Sequence, residues 1–111
     1  MQLNEPTACA KIAACICGKD GVISEAELKK MFEILNVRFP EFGAAMFEEA
    51  LDDFFESGDE IEDLLSLINE DKLRRFTLRL SELSASADGL DARENVALEK
   101  AYQVWGVQRH V

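Results

Sequence analysis

Five acidic residues fall in two short segments whose spacing could serve oxygen-ligand chemistry. Asp20 and Glu27 lie in "CGKDGVISEAEL" (Cys17–Leu28), and Asp88, Asp91 and Glu94 lie in "SADGLDARENVAL" (Ser86–Leu98). Each segment contains an Asp-Gly pair followed by an acid at a helix start. A hard divalent cation needs several oxygens converging from a tight turn that glycine permits. Registering Gly21 on the glycine of a 12-residue calcium loop puts Asp20 at position 5 and Glu27 at position 12. Positions 1 and 3 become Ile16 and Gly18, which bring no carboxylate. The same register on Gly89 places Asn95 at position 12. Neither segment is an EF-hand loop. A less regular cation site, shared between the turns or one in each, stays open beside plain helix initiation. Acids in a first turn complement the macrodipole, and cap residues satisfy orphan amides.

Other chemistry finds fewer residues. Cys9, Cys15 and Cys17 are odd in number and crowded into one segment, which is no disulfide framework and suits a reducing cytoplasm. Cys15 and Cys17 stand two apart, so on a helix they point to different sides. The single histidine, His110, sits beside the chain end. Buried thiols on an Ala-rich helix are therefore the expectation for all three cysteines. There is no glycine-rich phosphate loop, no G-x-S-x-G, no H-E-x-x-H, and no histidine placed as a base. No residue is assigned a catalytic role, and a non-enzymatic protein is expected.

The elements that would position the acids read as helices. The stretch from about Pro6 to Cys17 forms an Ala/Cys/Ile helix that Gly18 ends. Ser24 opens a second, with Glu27 completing an S-x-x-E capping box and Leu28, Met31, Phe32 and Leu35 on its buried face. "NVRFPEFG" interrupts, and Pro40 is predicted in the first turn of a third helix. That helix buries some combination of Phe42, Met46, Phe47, Ala50, Leu51, Phe54 and Phe55, and Gly58 stops it. A short fourth helix carries Ile61, Leu64, Leu65 and Ile68. A fifth starts at Asn69 or Asp71 with Leu73, Phe76, Leu80 and Leu83 inward. After "SASADGLD", Asp91 caps the last helix, with Glu94 at N3 and Leu98, Ala101, Tyr102 and Trp105 inward, until Gly106. Alternation with period two never persists, so no strand is predicted. The fold class is all-α, a compact bundle of about six helices in one domain over residues 1–111. Its two helix–DG turn–helix units suggest pseudo-twofold symmetry.

Composition narrows the partners. The chain has 111 residues, 22 acidic against 12 basic, for a net charge of −10. Such a field repels phosphate backbones and anionic membrane surfaces, and it favours divalent cations or basic protein partners. No segment approaches the roughly 20 apolar residues of a membrane helix, and the first residues read as neither signal peptide nor anchor. Nine acids and no base lie between Glu48 and Asp63. They alternate with Phe and Leu at helical spacing, as in a solvated face over a buried one. Residues 41–63 could alternatively present a docking surface for a basic protein. Lys72, Arg74, Arg75 and Arg79 are expected to neutralise this run.

The two units "AKIAACICGKDGVISEAELKKM" and "LSELSASADGLDARENVALEKAYQVWGV" together resemble the TerB-like family, the tellurite-resistance domain akin to the N-terminal domain of DjlA-type co-chaperones. The resemblance covers about Ala8 to Val107, and the order and separation of the motifs carry it. It implies an all-helical, pseudo-symmetric fold, a role in resistance to tellurite and other stresses, and acidic residues that bind divalent metal. By position these are Asp20 and Glu27 in the first unit and Asp88 and Glu94 in the second. The second turn is one residue shorter than the family's Asp-to-Glu spacing, and the chain is compact for the family. The resulting expectation is a cytoplasmic, non-enzymatic stress-response domain binding a divalent cation through Asp20, Glu27, Asp88, Asp91 and Glu94. The alternative is a metal-free adaptor using the acidic helix surface.

Overall fold

Ten consecutive residues of the first helix, α1 (Glu5–Cys17), are buried, from Ala8 to Cys17. Nine of the ten are apolar, Lys11 being the exception, and a helix so nearly apolar all round must lie inside a protein, with the rest of the chain supplying the enclosure. In the computed structural model, residues 5–18 and 23–109 are described, the Asp88 side chain excepted. The remaining helices are α2 (Glu25–Arg38), α3 (Ala44–Ser57), α4 (Ile61–Leu65), α5 (Asp71–Ala85) and α6 (Ala92–Trp105), with a 3₁₀ turn at Ser86–Asp88. All five pack against α1, which runs through the middle of an all-α bundle. Among the described residues there is no strand, and no helix is long and apolar enough to cross a membrane.

Local rules explain most of the helix ends. Ser24 Oγ accepts a hydrogen bond from Glu27 N–H at 3.1 Å, and Ser24 N–H donates to Glu27 Oε1 at 2.9 Å. That reciprocal pair is the predicted capping box, which satisfies two orphan donors of α2. Gly58 and Gly106 stop α3 and α6 with φ near 65°, a left-handed conformation that costs little only without a Cβ. The expected start of α3 needs correction. Pro40 lies in the connecting turn, and α3 begins at Ala44 with Gly43 as its cap. The Asn36 amide donates to the Phe42 carbonyl at 3.1 Å, and Phe42 N–H donates to the Phe39 carbonyl at 2.9 Å. These bonds hold Phe42 as a buried plug of the loop rather than as a helical residue.

The α1–α5 contact shows what periodicity of large apolar residues misses. Leu73, Leu78 and Leu80 are buried on α5, and so are Thr77, Ser81 and Ser84. Small faces on both helices let the backbones approach closely, and two of the three hydroxyls find backbone acceptors, while Ser84 Oγ is buried without one among the described residues. Thr77 donates to the Leu73 carbonyl at 2.7 Å and its Oγ1 lies 3.1 Å from Cys9 Sγ. Ser81 donates to the Thr77 carbonyl at 2.8 Å. Of the two expected starts, Asp71 is the one observed: α5 begins there, with Glu70 as its cap. Farther along, Trp105 of α6 donates its indole N–H to the Leu65 carbonyl at 3.0 Å, tying α6 to the end of α4.

Two cation roles also differ from expectation. Arg74 donates to the Ile68 carbonyl at 2.8 Å and sits over the Trp105 ring. Arg75 pairs with Asp71 one helical turn away. Both are engaged within or beside α5 instead of neutralising the Glu48–Asp63 run. Within that run Glu62 pairs with Lys100 of α6.

Candidate metal centre

The start of α2 and the start of α6 are built alike. Asp91 caps α6, accepting from Arg93 N–H at 2.7 Å, and Asp91 N–H donates to Glu94 Oε1 at 3.1 Å. Both N3 glutamates thus hold one carboxylate oxygen in a capping box, and Oε2 of each lies outside it. Ordinary capping glutamates sit at the surface. Here Glu27 is 2% exposed and Glu94 is 1% exposed. Their burial follows from topology: α1 ends at Cys17, and the first turns of α2 and α6 both close over that end.

The consequence is a cluster drawn from three elements. One ligand atom each of Cys17, Glu27 and Glu94 lies within 4.8 Å of the other two, and all three residues are buried. Two ligands of one ion, each roughly 2.0–2.3 Å from it, stand at most about 4.6 Å apart. Three donors spaced evenly around one ion at that distance stand about 3.5–4.0 Å apart, so sharing an ion requires them to close by up to about 1 Å. The donor set is two carboxylates and a thiol, all recognised metal ligands. Each helix N-terminus contributes roughly +0.5 of an elementary charge, and the α1 C-terminus roughly −0.5. The two N-termini favour negative charge on the glutamates that they hold, and the α1 C-terminus favours a cation beside it.

The five residues singled out by sequence separate into three groups. Glu27 and Glu94 meet in this cluster. Asp91 acts as the N-cap of α6, with its side chain turned to the Arg93 amide. Asp88 ends the 3₁₀ turn, which packs on α2, and its side chain is outside the described residues. Asp20 also lies outside them, so the distance between the two Asp-Gly turns is not part of this geometry. Cys17 is the residue that sequence reasoning passed over as a ligand. Of the three cysteines, Cys17 is the one in this group. In the calcium-loop register it stands at position 2, where no side-chain ligand is sought. The signal that could have found it is its place at the last helical residue before the turn.

The other two thiols lie outside this group. Cys9, Cys15 and Cys17 are all free and buried. Burial pushes the Cys9 thiol up from 9.0 to about 11, with the nearby Thr77 hydroxyl working in the opposite direction. A separate groove of about 480 Å³ is lined by Pro6, Arg38, Phe39 and Met46 among others.

Comparison of the chain with protein-family models, with curated proteins and with solved structures finds no match.

Proposed function

We propose that this chain is a TerB-like, non-enzymatic cytoplasmic domain of the stress-response type that binds a divalent cation between its two acidic turns. The observation that carries the proposal is the meeting of Glu27 and Glu94. Residues from opposite ends of the sequence bury two carboxylates side by side, each braced by its own capping box. Helix capping alone accounts for one oxygen of each glutamate, and it does not require the two to be buried together. An ion held there would tie the α1–α2 and α5–α6 units to one another, which is how a metal contributes to folding free energy.

Glutamine can replace glutamate in a capping box, so Glu27→Gln/Glu94→Gln keeps the caps and removes both charges. Calorimetric titration with calcium, magnesium, manganese and zinc should give saturable heat with the natural protein and none with this variant. Absence of heat from every ion, or equal heat from both proteins, would sink the proposal. At an ion concentration 100 times Kd, binding should also add about 2.7 kcal/mol to unfolding stability.

A second reading rests on α3. Phe55 is 60% exposed and Met46 42% exposed, beside the exposed acids Glu48, Glu49, Asp52 and Asp53. An apolar-acidic face of this kind complements a basic amphipathic segment of another protein. A Lys/Leu amphipathic peptide should bind the natural chain, and it should lose affinity both with Phe55→Ser and when those four acids are neutralised. Retained binding to Phe55→Ser would reduce the attraction to bulk charge.

A further inference from the structure

We propose that Cys17 is a ligand of this centre and sets its chemical class: a thiophilic, zinc-type ion rather than calcium or magnesium. The inference rests on the cation-binding reading above and specifies the ion for it. Three observations converge on it. The Cys17 Sγ reaches the same 4.8 Å group as the Glu27 and Glu94 oxygens. Cys17 is the last residue of α1, so the helix and its ten buried residues fix the sulfur's position before any ion arrives. The three donor residues are all buried.

Those features suit one ion class. Calcium takes 6–8 oxygen ligands, and magnesium keeps an octahedral shell with several waters. A thiolate replaces a needed oxygen for either of them. Zinc accepts sulfur, nitrogen and oxygen together, is content with four ligands, and uses three protein donors with a fourth position open. Soft sulfur raises selectivity for zinc and cadmium over the hard ions. The binding step balances simply. The thiol gives up its proton to solvent as the sulfur–metal bond forms, so one proton leaves per ion bound. No electron is transferred.

Spectroscopy and calorimetry on the full chain, freed of metal by a chelator and dialysed, test this. Cadmium titration should develop the ultraviolet thiolate-to-cadmium absorption with a stoichiometry of one. The band should persist in Cys9→Ala/Cys15→Ala, where Cys17 is the only thiol, and vanish in Cys17→Ser. Zinc heats measured in buffers of different ionisation enthalpy should report one released proton. A supporting residue around a metal costs about 10–100-fold in affinity when changed, so Cys17→Ser should weaken zinc by more than about 100-fold. Circular dichroism of Cys17→Ser in chelator checks its fold, and the cadmium band of Cys9→Ala/Cys15→Ala decides the matter if Cys17→Ser does not fold. Absence of the band in that protein, with manganese or calcium still bound and lost only in Glu27→Gln/Glu94→Gln, overturns the thiolate ligand and leaves the cation reading standing. Failure of every ion to bind the natural chain overturns both.

Discussion

Cys9 and Cys17 sit on one helix and differ in what surrounds the sulfur. Cys9 faces the Thr77 hydroxyl in the α1–α5 seam, where burial raises its thiol to about 11 from 9.0. Folding therefore favours the protonated form. Its contribution to stability is complete below about pH 9 and is lost as pH rises through about 11. At about 1.36 kcal/mol per pH unit this is roughly 2–3 kcal/mol. Urea unfolding at a series of alkaline pH values should show that loss in the natural protein. Cys9→Ala should show a shallower decline, whatever its overall stability. Tyr102, raised chiefly by burial and then by Glu82, adds a decline of the same sign that both proteins share. Cys17 differs because it lies within 4.8 Å of two further donor atoms, those of Glu27 and Glu94, and ligation is the behaviour proposed for it.

At the scale of elements, the caps are separable from the centre they support. Ser24→Ala removes the bond that Ser24 Oγ accepts from Glu27 N–H, and it leaves the backbone donor that holds Glu27 Oε1. The expected cost is about 1 kcal/mol in denaturant unfolding, with ion affinity reduced far less than by Glu27→Gln. Equal losses of affinity in the two variants would mean that the cap itself creates the site. Gly106 offers a purely conformational test. A Cβ built there meets nothing within 4 Å, yet φ is 65°. Gly106→Ala should cost about 1–2 kcal/mol through backbone strain alone, with the near-ultraviolet signal of Trp105 unchanged. The misplaced start of α3 belongs to this scale too. Proline is common in a first helical turn, but here the Asn36 side chain captures the loop carbonyls first.

For the whole molecule, charge and topology set the terms. Replacing Glu48, Glu49, Asp52 and Asp53 by their amides changes the net charge from −10 to −6, since four negative charges go. All four are exposed, so the expected effect is relief of self-repulsion. The melting temperature should rise at low ionic strength, and the difference should shrink as salt screens the field. The bundle wraps five helices around α1, and this packing brings two ordinary helix starts into one buried group. Metal binding should slow amide exchange in both capped turns at once, because the ion bridges them; protection of only one turn would contradict a shared centre.

Local interactions made much of the protein legible without coordinates. Ser24 with Glu27 and Asp91 with Glu94 are decided within four residues of chain, because a cap needs only the first turn of its own helix. Helix ends at Gly58 and Gly106, and the inward faces of α2, α4 and α6, follow equally from short-range pattern. The buried hydroxyls of α5 did not, since Thr77, Ser81 and Ser84 look solvent-facing until the small residues of α1 lie against them. Nor did the convergence of Cys17, Glu27 and Glu94. Each is fixed locally on its helix, but their meeting depends on three helix ends packing together, and that is set by burial of α1 rather than by any spacing along the sequence.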